Sequence, residues 1–120
     1  MNTRGQVDDR FTVVRSREAN VFVDEDEVVQ MYFKTPKMNF AIGVLPPGCK
    51  TPMDPGEPGI YVAYVLEGEA IFEAGDGSSR TEWLYEGDSI LIKESLPHIV
   101  FNPSDKVSRV IWALAPGHGE

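Results

Sequence analysis

Turn formers interrupt this sequence about every 8–12 residues, and the stretches between them are too short for ordinary helices. FTVV (11–14), VFV (21–23) and VVQMYF (28–33) are rich in β-branched and aromatic residues, which suit a pleated, half-buried surface. MNFAIGVL (38–45) follows, then a turn-rich stretch, PPGCKTPMDPGEPG (46–59). IYVAYVLEGEAIFEA (60–74) reads as two strands around a tight hairpin at Glu67-Gly68-Glu69. GDGSS (75–79) marks another turn, and RTEWLY, SILI, HIVF and VSRVIWALA complete the series. No segment sustains an apolar period of about 3.6 residues, and the one helical candidate is a turn around residues 16–20. Such spacing belongs to a small all-β sandwich or barrel.

Composition bounds what such a barrel does. A chain of 120 residues is expected to form one domain, with polar residues 1–10 as a flexible segment and 11–120 as the barrel. Nineteen acidic residues against eleven Lys and Arg give a formal charge of -8. That balance repels phosphate backbones and anionic lipid, so neither nucleic acid nor a membrane is the expected partner. A single cysteine, Cys49, excludes an internal disulfide, a multi-thiolate zinc site and a CxxC redox centre. Two histidines, His98 and His118, are little material for a multi-histidine metal site. No apolar run reaches the ~18–20 residues of a membrane span, and the N-terminus lacks a signal-peptide core. The expectation is a soluble cytoplasmic protein.

Two segments carry spacings that narrow the fold further. From Gly48, five residues lead to Asp54 and Gly56, four more to Tyr61, and six more to Gly68. From Gly87, Lys93 and Ser95 precede His98, and three residues separate His98 from Asn102. The first series resembles the first signature of the cupin superfamily: Gly, five residues, His-x-His, three or four residues, Glu, six residues, Gly. The second resembles the other cupin signature: Gly, five residues, Pro-x-Gly, two residues, His, three residues, Asn. The resemblance covers roughly the last three-quarters of the chain and implies a double-stranded β-helix, or jelly-roll, barrel.

In metal-bearing cupins, the resemblance implies, three His and one Glu converge on one ion. Here Asp54, Gly56 and Tyr61 stand at three of those positions and only His98 remains. The expectation is therefore a cupin without the usual metal centre and without a cofactor. The alternative is a divalent ion (iron, manganese or zinc) on ligands rearranged among His98, Asp54 and Glu57, with Cys49 within reach of the same turn. On the family's geometry, positions 54, 56, 61 and 98 face one cavity. His98 and Asp54 then form an acid–base pair, in which the carboxylate fixes the imidazole tautomer. Tyr61 donates a proton or stabilises an oxyanion. Such a set suits isomerisation, cyclisation or elimination beside a carbonyl. Met53, Gly56, Glu57, Phe40 and Asn102 are candidate ligand-binding residues around it. A non-catalytic ligand-binding or sensing module is the competing reading.

Plainer readings stand beside each of these. His98 can serve only to satisfy hydrogen bonds within the barrel. Asp54 before Pro-Gly is a turn former, and Tyr61 has reason enough to be in a strand. Cys49 reads as a small buried residue, not a nucleophile. His118 is a tail residue that reaches a site only if the tail folds back. VDEDE (23–27) reads as a solvated acidic turn and not a cation site. In small cupins the N-terminal arm often pairs with a neighbouring subunit, and the apolar run VVQMYF gives an exposed edge a motive to do so. A homodimer is the expected assembly.

Overall fold

The structure, a computed structural model, describes residues 10–118. The segment 1–10 expected to be flexible therefore lies, except for Arg10, outside the described residues. A single 3-10 turn, Ser16–Glu18, precedes nine strands, and no α-helix occurs among the described residues. The all-β expectation holds. No helix is long and apolar enough to cross a membrane.

The strands are β1 (Asn20–Asp24), β2 (Glu27–Lys34), β3 (Asn39–Leu45), β4 (Ile60–Glu67), β5 (Glu69–Ala74), β6 (Thr81–Tyr85), β7 (Ser89–Ile92), β8 (His98–Phe101) and β9 (Ser108–Ala115). They form a six-stranded sheet in the order β1-β2-β3-β9-β4-β7 and a three-stranded sheet in the order β6-β5-β8. Alternation along β3 sets the layers. Asn39, Ala41, Gly43 and Leu45 are buried on one face, while Phe40, Ile42 and Val44 are half-buried on the other. Between the sheets, Leu45, Ala63, Val65, Ala70, Phe72, Val100 and Val110 make the core. Each such side chain contributes roughly 1.5–3 kcal/mol when taken from water, Ala less.

Two expectations need correction. Glu67-Gly68-Glu69 is not a hairpin, because β4 pairs with β7 and β9 while β5 pairs with β6 and β8. The sharp turn instead carries the chain from one sheet to the other. Gly68 takes a positive φ of 82°, and a Cβ there would come within 2.5 Å of the Ser108 hydroxyl. Ser108 in turn donates to the Glu69 carbonyl and accepts from its N–H, fastening the corner. The run VVQMYF is also not an edge. It lies in β2, paired on both sides, and the edge strand on that side of the sheet is β1, with Val21 and Val23 exposed.

Candidate functional site

The turn-rich stretch 46–59 acts as a partial strand along β8. Thr51 N–H donates to the Val100 carbonyl, and Asn102 N–H donates to that of Cys49. Asp54 and His98 exchange backbone hydrogen bonds of 2.8 and 3.0 Å. This pairing joins the two signature segments: Asp54 and His98, far apart in sequence, sit opposite one another. Tyr61 arrives from β4, in register with Leu114 of β9 and Ile92 of β7. Trp112 of β9 lies against it, with ring centroids 5.3 Å apart.

Asp54, Tyr61, His98 and Trp112 line one cavity of about 460 Å³, together with Phe22, Asp24, Glu27, Val29 and Met31 of the first two strands. His98 is 5% exposed. Its Nδ1 lies 2.9 Å from the Leu96 carbonyl oxygen, an acceptor only, so Nδ1 carries the proton. In the neutral ring Nε2 therefore holds a lone pair, and it stands 3.8 Å from Asp54 Oδ2. Tyr61 donates its hydroxyl hydrogen to the same Oδ2 at 3.2 Å. Burial, then the charges of Asp54 and Glu57, the bond to Asp54 and the charge of Glu27, push the phenol well above its ordinary value. It stays protonated at any working pH.

The remaining candidates divide. Met53 and Glu57 line the cavity. Glu57 is engaged by His118 Nε2, so the tail does fold back: His118 N–H also donates to Asn39 Oδ1. Gly56 makes no ligand space. It takes φ 98° while its N–H donates to Asp54 Oδ1, and a Cβ would strike the Ser95–Leu96 backbone at 2.7 Å. Phe40 points to the opposite face of β3 and packs edge-on against Tyr32. Asn102 is fully buried away from the cavity; its amide donates to the carbonyls of Leu45, Pro46 and Lys106 and anchors that loop. Cys49 belongs to the core, where burial and then the charges of Asp26 and Glu27 push its thiol up.

Glu27 was hidden in the sequence. VDEDE is not wholly a solvated turn: Asp24 and Glu27 face each other across β1 and β2 and both line the cavity. A Cβ at Gly43 would run into the Glu27 carboxylate and come within 3.0 Å of Trp112 Nε1. The missing side chain at Gly43 is thus the space the carboxylate occupies. Burial, and secondarily Asp24, raise the Glu27 carboxyl to about 7. A glycine in a strand interior at an inward position was the available signal.

A family profile described as a cupin domain matches residues 41–114. The chain belongs to the cupin family. Among solved structures, this cupin is similar to the Drosophila melanogaster CENP-C cupin domain (TM-score 0.78, 20% identity, 91% of this chain and 84% of that one). It is similar to an RmlC-like cupin from Shewanella frigidimarina (0.74, 16%, 92% and 93%) and to the iron(II) form of HppE (0.80, 19%, 91% and 62%). No curated protein matches the chain. At these identities the likeness shows the fold, the double-stranded β-helix. Whether a cupin metal fits is a question for the residues. Among the described residues, no group of three or more His, Cys, Asp or Glu is placed to hold an ion. Glu57 is turned to His118, Gly56 offers no ligand atom, and Asp54 and Tyr61 bond each other. The donor set does not fit the centre.

Proposed function

We propose that this cupin binds a small organic molecule in its barrel without the usual metal centre, and that His98 moves a proton on it. The observation that carries this reading is the Nδ1–H bond to Leu96, which leaves Nε2 as a base on the cavity side. When Nε2 takes a proton from a carbon beside a carbonyl, the imidazolium forms 3.8 Å from the Asp54 carboxylate, which stabilises it. The Tyr61 phenol donates its single hydrogen to the same Asp54 carboxylate and so holds that carboxylate in place beside the imidazolium. Returning the proton to a different atom gives isomerisation; returning it with loss of a leaving group gives elimination. A cavity wall divided between apolar side chains such as Val29, Met31, Val100 and Leu114 and polar ones suits a small molecule with both kinds of surface.

Nitrogen-15 NMR of the imidazole tests the base: the neutral ring is expected as the Nδ1–H tautomer, and an Nε2–H tautomer would remove the lone pair and sink the proposal. Elemental analysis of protein purified without chelators tests the other half. Metal well below one equivalent is expected, and one equivalent lost in His98→Ala would restore the metal-dependent reading. If a bound molecule comes back unchanged from wild-type protein in deuterated water, with no exchange, the protein is a binding module instead.

We also propose a homodimer in the cytoplasm, with neither nucleic acid nor membrane as partner. The support is the exposed apolar edge at Val21 and Val23, the buried reduced Cys49 and the net charge of -8.

A further inference from the structure

The cavity has two chemically different ends. At one, each carboxylate is answered: Asp54 accepts from Tyr61 and stands beside His98, and Glu57 is held by His118. At the other, Asp24 and Glu27 are directly paired in the β1–β2 register. Among the described residues no hydrogen bond or ion pair reaches either carboxylate. Like charges directly opposite one another in a sheet destabilise it. The remaining basic residue on the cavity wall, Lys34, lies at the far end of β2 from Glu27, about 20 Å along the strand.

Phe22 and Trp112 flank this end beside Val29. Phe22 is the inward neighbour of Val29, and Trp112 extends its Nε1 edge toward the space above Gly43 that the Glu27 carboxylate fills. On its other side Trp112 meets Tyr61 and lies 6.3 Å, nearly parallel, from the His98 ring. One indole therefore links the unanswered carboxylates to the proposed base. Paired carboxylates beside large apolar side chains are surroundings that favour an alkylammonium group, through charge-assisted hydrogen bonds to its N–H groups and apolar contact with its carbon chain.

Resting on the reading of this cavity as a small-molecule site, we propose that its ligand carries a positively charged organic nitrogen. The ammonium seats at Glu27 and Asp24, with Trp112 and Phe22 as its walls, and the rest of the molecule extends toward His98. Gly43 is a positioning residue, because its lack of a side chain sets where the Glu27 carboxylate stands. An inorganic cation is the less suited occupant: two side chains supply few ligands, and the apolar neighbours add none.

Calorimetric titration of the full chain at pH 8 tests this with three probes of one shape: phenethylammonium, 2-phenylethanol and phenylacetate. The ammonium is expected to bind about ten-fold more tightly than the alcohol, and phenylacetate more weakly than both. Glu27→Gln is expected to cancel that preference while leaving the alcohol's affinity unchanged. Gly43→Ala, which keeps the charge and displaces it, is expected to reduce the preference several-fold. Equal affinity for ammonium and alcohol overturns the cationic class and leaves the cavity reading standing. No saturable binding by any probe overturns both. Calcium or zinc that binds alone, competes with the ammonium and is lost in Glu27→Gln would replace the organic cation with a metal.

Discussion

Glu27 shows what one side chain does to stability when it is kept in a functional position. Its carboxyl is raised to about 7 because burial, then Asp24, disfavour the charged form. The folded protein therefore binds this proton more tightly than the unfolded chain. The cost is absent below the ordinary carboxylate range, grows as pH rises, and is complete above about 7. Glu27→Gln is expected to stabilise the protein by about 2–3 kcal/mol at pH 8 and to change nothing near pH 4. Thermal melts of both proteins across that range check this, and an equal gain at both ends would mean that packing, not ionisation, set the difference. Asn102 is the opposite case. Its amide serves three carbonyls with no exposure to water, so Asn102→Ala is expected to cost about 2–4 kcal/mol in urea unfolding. A loss under 1 kcal/mol would show that water replaces the amide there.

At the scale of elements, the corner at Gly68 decides how the two sheets meet. Gly68→Ala adds a Cβ in a left-handed conformation and against Ser108, so a loss of about 1–3 kcal/mol is expected. Gly77 also has positive φ but open space around it, and Gly77→Ala is expected to cost about 1 kcal/mol. Comparing the two variants by chemical denaturation separates backbone strain from collision; equal losses would remove Ser108 from the account. The loop 46–59 is the other deciding element. Its bonds to β8 place Asp54 beside His98 more directly than any side-chain contact does.

For the whole molecule, the exposed surface sets the expectation. Val21 and Val23 of edge strand β1 are 56% and 66% exposed. An apolar edge of that kind invites pairing with another strand. Light scattering at micromolar concentration is expected to give the mass of a dimer, and Val21→Lys with Val23→Lys to shift it to the monomer. A wild-type monomer under those conditions would end the proposal.

The series of short β-rich runs is enough for an all-β chain, because turns and alternating faces are local properties. The cupin barrel, and with it the closeness of Asp54, Tyr61 and His98, is legible only through the family resemblance that the segments Gly48–Gly68 and Gly87–Asn102 carry. Parity within a strand does not say which face looks inward, so the expectation for Phe40 falls on the wrong side; the hairpin expected at Glu67–Glu69 fails because strand partners are set across the whole barrel. Asn102 and Gly56 kept their family positions but serve the backbone. The charged run VDEDE had no local mark to separate Glu25 and Asp26 at the turn from Asp24 and Glu27 at the cavity. Local sequence determined the strands, the turns and the single surviving His98. Only the tertiary structure decided which carboxylates lost their water and which found partners, because burial and charge pairing depend on strands brought together across the barrel.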